Sequence, residues 1–355
     1  MKRIAVIAGD GIGVEVTREA LRVLEALRLD VGLSHFDWGA ERYLKTGVAV
    51  PAGGFDELRG FDAILFGAVG DPRVPGGEHA REILLGMRFQ LDLYINLRPV
   101  RLIDERFTPL KGKRPADIDM TVFRENTEGL YVGMGGNFKR GTEDEIAINE
   151  DLNSRRGVDR ILRAAFEWAR HNVQREGGRK RLCMTDKANA LEYAHGLWRR
   201  AFAAMQKEYP DVQASALYVD VCAMELVRAP ERFDVIVTSN MFGDILTDLG
   251  AAIAGGLGLA ASGNIHPGQV SLFEPVHGSA PDIVGKNLAN PLGSILTLAL
   301  LLEHIDEDAA AARVEAAVRR AVTAGQVTAD LGGTLSTRAC TDAVLEHLVH
   351  GDPAT

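Results

Sequence analysis

FDVIVTSNMFGDILTDLG, residues Phe233–Gly250, fits a strand, a turn and the start of a helix into one short run. Phe233–Val237 is apolar and rich in β-branched residues, the mark of a buried strand. Thr238, Ser239, Asn240 and Gly243 interrupt it with turn chemistry. Asp244–Asp248 then reads as the first turns of a helix, and Asp244 and Asp248, four residues apart, share one face of it. Carboxylates just past a strand end lie where open α/β sheets bind ligands. Two like charges side by side repel, and a divalent cation relieves that repulsion. Oxygen-only ligands favour magnesium or manganese over zinc. The competing reading is that Asp244 caps the helix and Asp248 is solvated.

The chain has 355 residues, 46% hydrophobic and 25% charged, which predicts an ordinary globular protein of about two domains. Its net charge of −9 provides no basic footprint, so neither nucleic acid nor an anionic membrane is expected as a partner. Cys183, Cys222 and Cys340 are scattered, with neither metal-ligand spacing nor a disulfide framework, which suits a reducing cytoplasm. The N-terminal apolar run is too short for a signal peptide and ends in glycine. Leu249–Ile265 carries no charge but is rich in Gly and Ala, and reads as buried helix and loop rather than a membrane span.

Arg3–Ala8 reads as a strand followed by the loop Gly9–Gly13. A dinucleotide fingerprint needs glycine at its sixth position, where this chain has Val14, so a Rossmann fold is not expected. Glu15–Leu27 has helical periodicity, and Phe61–Val69 is a second buried strand. From Ile83 onward Leu84, Leu85, Met87 and Leu91 recur at helix-like spacing, with Arg88 among them. Arg98 precedes the turn-forming Pro99, and Arg124 closes the strand Met120–Phe123. Gathered in space, Arg88, Arg98 and Arg124 would grip a di- or tricarboxylate bidentately; taken singly, each suits a surface ion pair. Gly133–Asn153 is polar and reads as an exposed hairpin or an oligomerisation arm, and Val158–Val173 as an amphipathic helix. Lys187 follows the strand Arg181–Met184 as a candidate acid or base, or else a solvated charge. Arg124, Lys187, Asp220 and Asn240 each directly follow a strand, a repetition that points to an active site along one sheet edge. Ser271–Pro291, SLFEPVHGSAPDIVGKNLANP, leaves little room for regular structure and reads as a functional loop. Gly293–Leu302, Ala309–Ala324 and Thr341–His350 close the chain as helices.

Seven stretches together resemble one family, the β-decarboxylating dehydrogenases of isocitrate, 3-isopropylmalate, homoisocitrate and tartrate/malate. They are GDGIGVEV (Gly9–Val16), NLRPVRL, RENTEGLYVG, TDKANAL, YVDVCAMELV, FDVIVTSNMFGDILTDL and FEPVHGSAPDIVGKNLANP. The resemblance implies a two-domain α/β fold with a mixed central sheet, not a Rossmann fold. Domain 1 would be 1–93 with 255–355, and domain 2 would be 94–254. The active site would lie in the cleft and be completed by a second subunit of a homodimer. The match implies that Arg88, Arg98 and Arg124 bind substrate carboxylates. It implies a Mg2+ or Mn2+ site made of Asp244 and Asp248 with Asp220 of the partner copy, and proton handling by Tyr131 and the partner copy's Lys187. The cofactor would be NAD, its adenosine half held by His277, Gly278, Ser279, Ala280, Ile283 and Asn290, with Asp282 on the ribose. Glu274 and Asn240 would lie near the nicotinamide half.

Some family members are non-catalytic regulatory subunits, which tend to lose a metal aspartate, the tyrosine or the lysine. Tyr131, Lys187, Asp220, Asp244 and Asp248 are all present, which favours an active enzyme. Leu84 and Leu85 fall where the family meets the substituent beside the alcohol carbon. An apolar pair there implies 3-isopropylmalate as substrate. The motif Arg124–Gly129 and NLRPVRL keep a tartrate/malate alternative open, then homoisocitrate or isocitrate, and Arg81 stands where isopropylmalate enzymes usually carry glutamate.

Overall fold

The apolar runs bounded by Gly and Pro become strands, and the segments of helical period pack against them. In a computed structural model, residues 1–171 and 180–350 are described. In chain order the strands are β1 Lys2–Gly9, β2 Val31–Phe36, β3 Ala63–Ala68, β4 Ile95–Arg101, β5 Asp119–Glu125, β6 Gly135–Phe138, β7 Ile146–Asn149, β8 Arg181–Asp186, β9 Gln213–Tyr218, β10 Val235–Thr238, β11 Ala261–Ile265 and β12 Ser271–Pro275. The chain divides into two units: Met1–Leu93 with Arg101–Pro115 and Ala251–Thr355, and Tyr94–Val100 with Ala116–Gly250.

The first unit orders its strands β2-β1-β3-β12-β11. The pairs β1–β2, β1–β3 and β12–β3 are parallel and β11–β12 is antiparallel, so the sheet is mixed. The helix Leu292–His304 is apolar almost all round because it is covered almost all round. Its Leu292, Ile295, Leu298 and Leu301 are buried in one core with Val6, Leu65 and Phe273. Residues 101–115, expected in the middle domain, pack with this unit. Arg101 pairs with Glu315 at 2.8 Å, and Arg106 donates to the carbonyls of Val322 and Thr323 at 3.1 and 3.0 Å.

The second unit orders its strands β4-β5-β10-β8-β9, with β5, β10, β8 and β9 mutually parallel. The helix Arg155–His171 buries Val158, Ile161, Leu162, Ala165, Phe166 and Ala169, the face its sequence period marks. Its expected continuation to Val173 lies outside the described residues. β6 and β7 form a separate antiparallel hairpin that exposes Met134, Phe138, Ile146 and Ile148.

Four sequence expectations are corrected. The helix Asn240–Ile253 begins directly after β10, without the expected turn. Gly243 lies inside that helix, and glycine stands there because a Cβ would come within 2.6 Å of the Arg124 side chain. Ala261–Ile265 is a strand rather than part of a loop, its small residues buried against β12. Ser271–Pro275 is likewise a strand, so the irregular loop is shorter and starts at Val276. The segment after Ile83 is not one helix: Arg81–Leu85 forms a π-helical turn, Gly86–Gln90 is α-helical, and β4 starts at Ile95. No described helix is long and apolar enough to cross a membrane.

Candidate functional site

Because β5, β10, β8 and β9 run parallel, their C-terminal ends share one edge. That edge gathers Arg124 near the end of β5, Asn240 just beyond β10, Lys187 just beyond β8 and Asp220 just beyond β9. Ligands bind outside the carboxyl ends of strands in such sheets.

Asp244 is the centre of the first cluster. Its Oδ1 accepts from Arg124 Nη1 in a short contact and lies 3.4 Å from Arg98 Nη2, and its Oδ2 accepts from the Tyr131 hydroxyl at 2.8 Å. Asp248, one turn on, lies 3.9 Å from Arg98 Nη1. The arginines are held from behind. Arg98 Nε donates to Asn96 Oδ1 at 2.7 Å and Nη1 to Thr247 Oγ1 at 2.6 Å. Arg124, 1% exposed, donates Nε and Nη2 to Asn240 Oδ1 at 3.0 and 2.7 Å. Asn240 Nδ2 donates in turn to the Glu128 carbonyl at 3.0 Å. Asn240, expected beside the nicotinamide, therefore has its side chain committed to Arg124. Fixed guanidiniums of this kind grip carboxylates in defined geometry.

Lys187 Nζ and Asp220 form a second cluster through a short ion pair. The Lys187 ammonium holds the Asp220 carboxyl below the usual carboxylate range. Among the described residues, no group of three or more His, Cys, Asp or Glu is close enough to hold a metal. Within one chain the oxygen donors are Asp244 and Asp248, on one helix face and only partly covered. That donor set fits a hard divalent cation, which binds through one or two carboxylates and fills its other positions with water or substrate oxygens.

In the first unit Arg88, buried, donates to Glu274 Oε1 at 3.0 Å, and Asn264 Nδ2 donates to the same oxygen at 2.8 Å. Glu274, expected near the nicotinamide, is thus the counter-ion of Arg88. Leu84 packs partly buried against the core around Phe66, Ile83 and Met87, and Leu85 is half-buried. The loop after β12 is tied to the first glycine loop: Ile12 N donates to the Ser279 carbonyl at 2.9 Å. A Cβ on Gly11 would lie 2.1 Å from that carbonyl, so only glycine allows the approach. Ala280 is left-handed at φ 40°, and Ala280 and Ile283 pack on Ile12, Val16 and Ala289. Gly278 and Asp282 are exposed. Asn290 donates to Asp330 Oδ2 at 2.9 Å and accepts from Leu292 N at 3.0 Å. Burial pushes the His277 imidazole below its usual range, and its buried Nε2 finds no protein partner. Its neighbour Gly278 has open space where a Cβ would stand.

Sequence reading passed over two supports of this site. Glu128 accepts from Ser154 N at 2.7 Å and, through its carbonyl, from Asn240, fixing the turn after β5. Asp10 accepts from Ala40 N, Gly70 N and His79 Nε2 at 2.6, 2.9 and 2.9 Å, fixing the first loop. Neither has a signal in spacing or periodicity, because each joins residues far apart in the chain.

The sequence profile described as isocitrate/isopropylmalate dehydrogenase matches residues 3–346. The chain is 52% identical over 318 residues to a 3-isopropylmalate dehydrogenase of Frankia casuarinae, covering 89% of this chain and 91% of that protein. It is 48% identical over 352 residues to a 3-isopropylmalate dehydrogenase of Thermobifida fusca, covering 98% and 97%. An isocitrate dehydrogenase of Methylococcus capsulatus superposes with a TM-score of 0.88 at 37% identity, covering 98% of this chain and 99% of that one.

Proposed function

The chain belongs to the isocitrate/isopropylmalate dehydrogenase family, and on that premise we propose that it is an NAD- and divalent-metal-dependent 3-isopropylmalate dehydrogenase of leucine biosynthesis. The observation that carries the reading is the convergence of Arg98, Arg124 and Tyr131 on Asp244, with Asp248 one turn away. Arg88, Arg98 and Arg124 hold the two carboxylates of the malate core. Lys187, with Asp220, takes the hydroxyl proton, and a bound NAD would supply the nicotinamide that accepts the hydride. Loss of CO2 then leaves an enol, and Tyr131 protonates its carbon. Asp244 and Asp248, with Asp220 of a second copy, would hold a Mg2+ or Mn2+ ion, which would lower the pKa of the alcohol and stabilise negative charge developing on oxygen. Leu84 and Leu85 face the isopropyl group. The test is NADH formation from 3-isopropylmalate with a divalent metal; no turnover under those conditions would overturn the reading.

NAD is preferred over NADP because the Asp282 carboxylate accepts from ribose hydroxyls and repels a 2′-phosphate. The expected kcat/KM is at least about tenfold higher with NAD, and Asp282→Asn narrows the gap. A higher value with NADP would remove Asp282 from the ribose.

Two copies share their sites, Lys187 and Asp220 of one serving Asp244 and Asp248 of the other. The exposed apolar hairpin β6–β7 supports an assembly surface. Lys187→Ala and Asp244→Asn homodimers should each be inactive. Refolded together, they form mixed dimers in which one site carries both lesions and the other none, so activity returns. No recovery, with mixed dimers shown to form, would assign the lysine to its own chain's site.

A further inference from the structure

We propose that His195, held in place by Asp151, is a positioning residue for Lys187. The proposal rests on the reading of Lys187 as the proton-handling residue. Lys187 opens the turn between β8 and the helix Glu192–Glu208, and its carbonyl accepts from Ala190 N and Leu191 N at 3.0 and 2.8 Å. Its own N–H points the other way, into the fold, and donates to His195 Nδ1 at 2.9 Å. That bond requires a lone pair on Nδ1, so the ring is neutral and carries its hydrogen on Nε2. Nε2 faces Asp151 Oδ2 at 3.5 Å, and the same contact holds the Asp151 carboxyl below its usual range.

The ring has little freedom to move. His195 is 1% exposed, and its edge packs on Phe242 with centroids 5.2 Å apart. Phe242 lies on the helix that carries Asp244 and Asp248. Asp151 is fixed by Asn153 Nδ2 at 2.9 Å, and Asn153 Oδ1 accepts from Trp198 Nε1 at 2.8 Å, one turn along the helix from His195. The backbone that aims Lys187 is therefore set by a side chain braced against two other elements. A buried histidine used as an acceptor for one backbone N–H is a costly choice for packing alone, where an apolar residue would fill the space without a polar atom to satisfy.

The experiment compares full-length His195→Leu, His195→Asn and Lys187→Ala. Leucine removes the acceptor. Asparagine keeps an oxygen where Nδ1 stands. His195→Leu should lower kcat by about 10–100-fold, the scale of a small misplacement of a catalytic group, with KM for 3-isopropylmalate within about twofold. His195→Asn should keep kcat within about threefold of the parent. Amide hydrogen exchange at Lys187 should speed up in His195→Leu and stay slow in His195→Asn. If thermal melting shows that leucine prevents folding, His195→Ala against His195→Asn makes the same comparison. Full kcat in the leucine or alanine variant, or an asparagine variant as poor as the leucine one, overturns the positioning role while an inactive Lys187→Ala upholds the lysine's. An active Lys187→Ala overturns both.

Discussion

Asp244→Asn should give a folded protein whose turnover falls by at least about 100-fold, as expected when charge stabilisation at a reacting oxygen is lost. The substitution keeps the size of the side chain and removes its charge. It also places an amide where Oδ1 and Oδ2 now accept from Arg124 and Tyr131. Arg124 keeps its two bonds to Asn240, so the folding cost should stay near that of one lost charged hydrogen bond, about 1–3 kcal/mol. In parallel, chelator should abolish wild-type activity and Mg2+ or Mn2+ should restore it, while neither ion rescues the variant. Circular dichroism and thermal melting separate loss of chemistry from loss of fold. Full wild-type activity in excess chelator would remove the metal from the proposal.

Leu85→Arg should erase the preference for an isopropyl substituent and admit a more acidic one. Every candidate substrate shares the malate core, so its arginines and aspartates cannot discriminate. Burying three additional carbons at about 0.8 kcal/mol each gives roughly 2–3 kcal/mol, on the order of 50-fold in kcat/KM over unsubstituted malate. A carboxylate against the same leucines would be desolvated without a partner, at a cost of several kcal/mol. Both leucines are half-buried, but Leu84 packs against the core around Ile83 and Met87, so Leu85 is the better position to change. The measurement is kcat/KM for 3-isopropylmalate, D-malate, tartrate, isocitrate and homoisocitrate under one set of conditions. Malate or tartrate equal to isopropylmalate in the wild type would mean that the leucine pair does not select the substrate.

Local signals in the sequence carried the elements well where burial follows a period. The helix Arg155–His171 and the strand Val235–Thr238 overlap the expected Val158–Val173 and Phe233–Val237, though Thr238, expected in the turn, closes the strand. Carboxyl-end placement brought Arg124, Lys187, Asp220 and Asn240 to one edge, as their repeated position after strands implied. The failures have a common cause. Gly243 looks like a turn residue until the Arg124 side chain that crosses it is known. Ala261–Ile265 has weak strand propensity and is a strand because β12 pairs with it. Apart from those expectations, the partners of Glu274 and Asn240 also had no local signal, because their contacts with Arg88 and Arg124 span long sequence separations that no window of residues contains. The supports Asp10, Asp151 and His195 were silent for the same reason.

Arg98 and Arg124 both sit on Asp244, and Arg98 also lies near Asp248, so the carboxylates and guanidiniums offset one another in a local circuit of charge. On the proposed reading, both halves of that circuit are wanted elsewhere: the aspartate by a cation, the arginines by a diacid. A cation arriving alone would draw the aspartate away from its arginines and weaken those ion pairs. A diacid arriving alone would compete with the aspartate for the same guanidiniums. Arriving together, they exchange partners with no charge stranded, so each should tighten the other's binding by the same factor, as linkage requires. On that reading half-loaded forms should be rare, and the chain should recognise the salt rather than either ion.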